Sequence, residues 1–314
     1  MKLSKAYINI AIIVISVGII YSLVPTIMLY VKKIPAPYLN TQAAEKLNGN
    51  KGDGFEFIVL GDTHSGLIFN DSATLKLVRQ MNIEDRFRKL PVDFVLNLGD
   101  VTFRGSKRDY ATYNKIRSLI KWPVISAIGN HDDDDDKSGT TYFEENVGEK
   151  EFSFIDRNCF FLVIDNSTGD LSEKQFEWLE RELIASKPYA HRFVAAHKSP
   201  VSPYQQSWYR PELSPWSYRF MKLCEKYNVD IVFSGHEHLF SEKSFGGVKY
   251  IVSGGGGNLI HFPDPDGGYL HYLVVRVIGD YVDYEVRKIS PPFWELLTYY
   301  LWKDAFYFIK SVLF

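Results

Sequence analysis

The chain has few cysteines: only two occur among its 314 residues. Cys159 lies in the strand-like run NCFFLVID, and Cys224 lies in the helix-like run FMKLCEKY. Free cysteines are usually buried in apolar surroundings of this kind. The sequence therefore favours two buried thiols over a disulfide, and it leaves the redox compartment open.

An excess of basic charge is also missing. Lys and Arg number 36 against 38 Asp and Glu, which gives a net charge of -2. We therefore expect no general basic surface and no nucleic-acid partner. The sequence shows no internal repeat. The length fits one large domain or two small ones, and a hydrophobic content of 46% supplies a sizeable core.

Charged side chains are absent from residues 6–31. A helix needs about 20 residues to cross the hydrocarbon core, whereas the apolar part of a signal peptide has about 7 to 15. We therefore predict that residues 1–33 form an uncleaved, single-pass membrane anchor; the alternative is a buried core helix. Lys2 and Lys5 precede the stretch, and Lys32 and Lys33 follow it. With a basic N-terminus held inside, the bulk of the chain lies outside the cytoplasm.

Two further segments flank the central part of the chain. Residues 34–54 lack a sustained apolar period and contain Pro, Asn and Gly, which predicts a linker. Residues 290–314 place aromatic and aliphatic side chains at helical spacing after Pro291 and Pro292. This pattern predicts an amphipathic helix that either lies in a membrane interface or docks on the domain. Its role and the oligomeric state stay open.

Residues 55–289 alternate between strand-like and helix-like stretches. The runs FEFIVL, VDFVLNL, VISAI, RFVAA and VDIVFS have strand character, and helix-like stretches separate the early ones. This alternation predicts an α/β fold, and the last strands follow one another as a meander.

Polar side chains follow five of these strands at the point where each strand ends. They are Asp62 and His64, Asp100, Asn130 with His131 and Asp132, His197, and His236 with His238. Sites in open α/β sheets form outside the carboxyl ends of the strands. The sequence therefore predicts one site built from all five strand ends.

The residue types at these positions indicate metal binding. The set contains imidazoles, carboxylates and one amide but no cysteine, which excludes a structural zinc site and suits zinc, iron or manganese in a site open to water. The set exceeds the needs of one four-coordinate ion. Two divalent cations that share a carboxylate fit better.

The segments GDTH, GD, GNHD, H and GHEH, in this order, resemble the calcineurin-like metallophosphoesterase superfamily over roughly Phe55 to Ile289. The resemblance implies a four-layer α/β/β/α sandwich and a site with two metals. It implies that one metal is held by Asp62, His64 and His238, the second by Asn130, His197 and His236, and that Asp100 bridges both. His131 would face the phosphate as an acid or transition-state donor. The sequence AHKSP departs from the more frequent paired histidines, but it retains His197.

These residues predict hydrolysis of a phosphodiester or phosphomonoester by a metal-bridging hydroxide. The substrate of a membrane-anchored enzyme could be lipid-linked or membrane-proximal. A protein Ser/Thr-type phosphatase is an alternative, because Arg104 in GDVTFRG resembles the phosphate-clamping arginine of such enzymes; the other reading of Arg104 is a surface loop residue. GNHD and the second histidine of GHEH speak against this alternative. A non-catalytic scaffold would have lost ligands, and here every expected position is filled.

Two loops beside these motifs allow further interpretations. SGGGGN, residues 253–258, lacks the Gly-Lys-Ser/Thr ending of a phosphate-binding loop, and we interpret it as tight backbone turns near the metals. The aromatic loop at residues 199–216 either shapes an apolar substrate pocket or packs on the domain.

Overall fold

The structure is a computed structural model that describes residues 5–36, 38–133, 140–203, 215–260 and 264–290. Within these ranges the helices are α1 (Lys5–Val31), α2 (Asn40–Glu45), α3 (Ile68–Glu84), α4 (Lys107–Arg117), α5 (Thr140–Asn146), α6 (Glu173–Ala185) and α7 (Pro215–Lys226). The strands are β1 (Gly54–Leu60), β2 (Val92–Asn97), β3 (Val124–Ser126), β4 (Phe152–Asp156), β5 (Cys159–Ile164), β6 (His191–Ala196), β7 (Ile231–Ser234), β8 (Phe240–Phe245), β9 (Val248–Ser253), β10 (His271–Ile278) and β11 (Tyr281–Lys288).

The strands form two sheets. One has the order β11-β10-β1-β2-β3, and the other has the order β4-β5-β6-β7-β9-β8. The strands β1, β2 and β3 are parallel, and so are β5, β6, β7 and β9. The predicted alternation of strand and helix is confirmed for these parallel parts. The predicted terminal meander is confirmed only for the antiparallel pair β10–β11, because β9 lies in the other sheet.

The two sheets pack face to face through phenylalanine rings. Phe57 of β1 stacks on Phe94 of β2 at 5.2 Å and meets Phe161 of β5 edge-on at 5.4 Å. Such aromatic pairs contribute about 0.5–1.5 kcal/mol beyond the area that they bury. The opposite faces of the sheets are covered by α3 and α4 on one side and by α6 and α7 on the other. The four layers are therefore helix, sheet, sheet and helix, as predicted.

The predicted membrane span is not supported by the structure. Within the described part of the chain, no helix reaches the length and hydropathy that crossing a membrane requires. The apolar stretch is helical, but its last turns pack on protein. Leu29 is buried, the Tyr30 hydroxyl donates to Asp71 on α3, and the Lys115 ammonium on α4 donates to the Tyr30 carbonyl at 2.9 Å. The hydropathy of the stretch could not indicate that these turns are covered by α3 and α4.

The predicted linker also contains ordered structure. Helix α2 lies within residues 34–54. The buried side chain of its Asn40 forms hydrogen bonds with both the backbone N–H and the backbone C=O of Ser126. The same amide reaches the Glu149 carbonyl at 3.0 Å. This segment is therefore joined to the domain at β3. Residues 291–314, which hold most of the predicted amphipathic helix, lie outside the described residues.

His271 at the start of β10 predicts a pH dependence of stability. It is fully buried, its Nδ1 donates to the Tyr269 carbonyl at 2.9 Å, and its Nε2 accepts from the Ser253 hydroxyl at 3.1 Å. Burial lowers its pKa from 6.5 to about 4. The folded state therefore binds fewer protons than the unfolded state, so this contribution to stability is present above pH 6.5 and is lost as the pH falls towards 4. At about 1.4 kcal/mol per pKa unit, the loss is about 3 kcal/mol.

Urea unfolding of the chelator-treated protein at pH 7.5 and pH 4.5 measures this loss. We expect the free energy of unfolding to fall by about 2–3 kcal/mol more in the wild type than in His271→Gln, because one protonation step is missing in the variant. An equal fall in both proteins would contradict a neutral, buried His271.

Candidate metal centre

The polar side chains at the strand ends converge as the sequence predicts. Three clusters of potential ligands have donor atoms within 4.8 Å of one another: Asp62 with His64 and His238, His64 with Asp100 and His131, and Asp100 with His197 and His236. The residues follow β1, β2, β3, β6 and β7, whose parallel carboxyl ends point to one side of the fold. The structure therefore brings together every predicted ligand, since the Asn130 amide oxygen also lies 3.2 Å from His197 Nε2.

Asp100 joins the two halves of this centre. Its Oδ2 lies 3.2 Å from His64 Nε2 and 3.3 Å from His197 Nε2. Its other oxygen accepts from the backbone N–H of His131 at 2.8 Å, which fixes the orientation of the carboxylate. Asp62 lies only in the half of the centre that contains His238, and its Oδ1 is 3.7 Å from His238 Nε2. Asp100 is thus the carboxylate placed to be shared by two cations.

Backbone carbonyls orient the histidine rings. The Nδ1 atoms of His197 and His238 lie 2.9 Å from the Leu98 carbonyl and 3.0 Å from the Leu259 carbonyl. A carbonyl can only accept, so each Nδ1 carries a proton and each Nε2 is the nitrogen that faces the centre. This arrangement is typical of metal-ligating histidines.

The electrostatics of the centre also fit a cation. Burial raises the pKa of Asp62. Burial acts in the same direction on Asp100, but nearby His197 and His64 outweigh it and hold the pKa of Asp100 well below its usual range. Although burial opposes it, the Asp100 charge raises the pKa of His197 to about 9. A bound cation would take the place of the protons on these side chains and would balance the negative charge of the carboxylates.

His64 gives a second observation that fits a cation. The side chain is only 1% exposed, and neither of its ring nitrogens makes a hydrogen bond within the described residues, although Nε2 lies close to Asp100. Buried polar atoms without a partner are uncommon in folded proteins. A bond from Nε2 to a metal ion would give one of these two nitrogens a partner.

The backbone is strained at the same residues. Asp62, His64, Asp100 and His236 have φ angles between 45° and 68°. This left-handed conformation costs residues other than glycine of the order of 1–3 kcal/mol and is concentrated at functional sites. The strain turns the chain sharply at each strand end, so that both members of the Asp62–His64 pair can face the centre.

The glycines of GNHD and GHEH are required by close approach. A Cβ atom on Gly129 would overlap Asp100 Oδ1, and a Cβ atom on Gly235 would lie 2.5 Å from Asp62 Oδ2. Each motif therefore supplies predicted ligands, and its glycine leaves room for a carboxylate that follows another strand.

Comparison with known protein families identifies the family of the chain. The model of the Calcineurin-like phosphoesterase family matches residues 55–240, which contain all the predicted ligands. The chain belongs to this family. The resemblance seen in its motifs is thereby confirmed.

Individual relatives of this phosphoesterase are distant. A "Probable cyclic nucleotide phosphodiesterase" of Rhodococcus erythropolis is 27% identical over 51% of the chain and 56% of its own length. A "Probable inactive purple acid phosphatase 27" of Arabidopsis thaliana is 27% identical over 53% of the chain and 35% of its own length. The chain thus spans about half or less of the length of these relatives.

Solved structures show the same fold. A purple acid phosphatase from yellow lupin (Lupinus luteus) seeds matches 83% of the chain and 56% of its own with a TM-score of 0.59 and 15% identity. GAP50, the anchor in the inner membrane complex of Plasmodium, matches 76% of the chain and 85% of its own with a TM-score of 0.58 and 14% identity. At this identity the likeness concerns the fold alone.

His131 lies beside the ligands of the phosphoesterase. Its ring centroid is 4.6 Å from that of His64, and its Nδ1 lies 2.9 Å from the Phe103 carbonyl. Because this carbonyl can only accept, a proton stays on Nδ1, and Nε2 is the nitrogen available to a substrate. Arg104 is exposed, with its guanidinium 5.2 Å from the centre of the Phe103 ring. Its contact with phosphate stays a prediction.

Two further residues support the centre. Asp132 is buried and accepts from the N–H groups of Gly129, Val101 and Thr102, so it ties the loops after β2 and β3 together.

Asn258 was missed by the sequence analysis, because its sequence context shows only the glycine run before it. Its N–H bonds the Asp62 carbonyl at 3.0 Å, and its Nδ2 lies 3.2 Å from His238 Nε2. The interpretation of SGGGGN as turns beside the metals is consistent with these contacts. Residues 134–139 and 204–214 lie outside the described residues.

Proposed function

We propose that this phosphoesterase works with two divalent cations. One would be held by Asp62, His64 and His238, the other by Asn130, His197 and His236, and Asp100 would lie between them. The observation that carries the proposal is the position of Asp100 Oδ2, 3.2 Å from His64 Nε2 and 3.3 Å from His197 Nε2. The nitrogen and oxygen donors suit manganese, iron or zinc.

Two bound cations supply charge neutralisation at the phosphate oxygens and a coordinated water with a lowered pKa. The protein side chains do the rest. His131 has Nε2 available for a substrate and would donate a proton to the leaving oxygen of the ester. Its proton on Nδ1 is held by the Phe103 carbonyl, so the second proton of the imidazolium is on Nε2. Arg104 would contact the phosphate from the solvent side.

We infer that the substrate is a phosphodiester or a phosphomonoester. The Rhodococcus relative, which is named a probable cyclic nucleotide phosphodiesterase, supports a diester. A protein Ser/Thr-type phosphatase is the alternative that Arg104 favours. A non-catalytic scaffold is disfavoured because the centre keeps all seven ligands and the strained backbone that places them. The predicted location outside the cytoplasm stays a prediction.

Hydrolysis by the full chain tests this proposal. We expect manganese-dependent turnover of bis-p-nitrophenyl phosphate or p-nitrophenyl phosphate, inhibition by a chelator, and about two metal ions per chain by elemental analysis. The preferred ester separates a diesterase from a monoesterase. A purified, folded chain that binds no metal and hydrolyses neither ester would contradict the proposal and support a scaffold.

A further inference from the structure

A pocket of about 490 Å³ lies where the end of α1 meets the beginnings of α3 and α4. Its lining residues are Ile27, Tyr30, Gly66, Leu67, Ile68 and Arg108. The volume is within the range of about 300–1,000 Å³ that is typical of small-molecule sites.

The lining of this pocket is mainly hydrocarbon. The hydroxyl of Tyr30 is engaged with Asp71, so the polar end of that side chain is already satisfied. Ile27 is 49% exposed and Leu67 is 38% exposed. Exposed apolar side chains continue on both sides of the pocket, with Val24 on α1 and Phe69 on α3. Contiguous exposed apolar surface of this kind marks binding sites more often than scattered single residues do.

The pocket begins next to the metal centre. Gly66 is two residues beyond the ligand His64, and two residues of extended chain span at most about 7 Å. The intervening Ser65 pairs with Thr102 as an isolated bridge, and the Gly66 N–H bonds the Asp71 carboxylate at 3.1 Å. The loop that joins the centre to the pocket is therefore held at both ends.

A cation stands at the rim of this apolar surface. Arg108 forms no close ion pair within the part of the chain that the structure describes, but its charge acts on the carboxyl groups of Asp71 and Asp109. The pocket therefore offers an occupant a hydrocarbon surface rather than a free cation. A phosphoester with an alkyl or acyl chain fits this surface, and the adjoining centre acts on its phosphate.

We propose that this pocket binds the hydrocarbon chain of an amphiphilic phosphoester whose phosphate is hydrolysed at the metal centre. The inference rests on the proposed function, and it adds a substrate class and a second subsite to it. Ile27 and Leu67 form the walls for the chain.

Chain-length dependence of KM tests the proposal. The probes are the methyl, butyl and octyl esters of p-nitrophenyl phosphate, used with the full chain at one fixed concentration of non-ionic detergent. A fully buried methylene contributes a factor of about four in binding. With partial burial, we expect KM of the octyl ester to be at least tenfold below that of the methyl ester in the wild type.

Ile27→Ser and Leu67→Ser should reduce this ratio of KM values to less than threefold. Leu67 is the N-cap of α3, where serine is a favoured residue, so the helix should persist in that variant. The matched control is Ile184→Ser on α6, because Ile184 is also 49% exposed but lies outside the pocket. The control should keep the wild-type ratio.

The outcomes separate the two proposals. Turnover of all three esters with equal KM values would overturn the pocket and leave the proposed function intact. A steep ratio that persists in both pocket variants would also overturn it, since the chain would then bind elsewhere. All three esters are phosphodiesters, so their failure would overturn the pocket. Failure of p-nitrophenyl phosphate as well, with no metal bound, would overturn the proposed function.

Discussion

Asp100→Asn is expected to lower kcat for phosphoester hydrolysis by at least about a thousandfold, which corresponds to about 4 kcal/mol of activation free energy. The amide keeps the shape of the side chain but removes the negative charge that two cations would share. Asp100 Oδ1 is held by the His131 N–H, so the new amino group would face the Nε2 atoms of His64 and His197. These nitrogens would accept hydrogen bonds in place of ligating cations.

The measurements are kcat with saturating manganese and metal content by elemental analysis. We expect fewer than two metal ions per chain in the variant, with an unchanged far-UV circular dichroism spectrum. Asp156→Asn is the matched control, because Asp156 is an equally buried carboxylate that pairs with Asn50 at the opposite edge of the second sheet. A fall in kcat of less than tenfold with two metals retained would contradict a bridging role for Asp100.

His131→Gln is expected to lower kcat by about 10²–10⁴-fold, the range usual for loss of a positioned proton donor. Metal content should remain at two ions per chain, because His131 lies beside the ligands and is not counted among them. The loss should be larger for an ester with a poor alkoxide leaving group than for a p-nitrophenyl ester, whose leaving group needs no proton. KM should change less than kcat.

His191→Gln is the control for this second variant. His191 begins β6, at the opposite end of the strand from His197, and it is bonded to Asp230 and the Gly279 carbonyl, so its substitution should leave kcat unchanged. Equal losses for good and poor leaving groups would refute proton donation by His131. Loss of metal would instead place His131 among the ligands.

The fold and the ligands were predictable because their determinants are local. Each ligand follows directly on an apolar strand, so strand identity, ligand position and the common edge are encoded in short stretches such as FIVLGDTH. The glycines of GNHD and GHEH sit beside the carboxylates that need their space. For these elements, local pattern and tertiary structure agree, as is expected of a sequence that specifies one fold.

The sequence by itself thus determined the alternation of strands and helices and the delivery of the predicted ligands to one edge. Only the tertiary structure decided which residues meet across the chain. It placed Asn258 against His238, folded Asn40 onto β3, and packed the end of α1 on Asp71 and Lys115. Hydropathy and motifs describe neighbours in sequence, whereas these contacts join residues 20 to 86 positions apart. For that reason the sequence did not show that the end of the apolar N-terminal stretch packs on the domain, and the pocket beside it could not be foreseen.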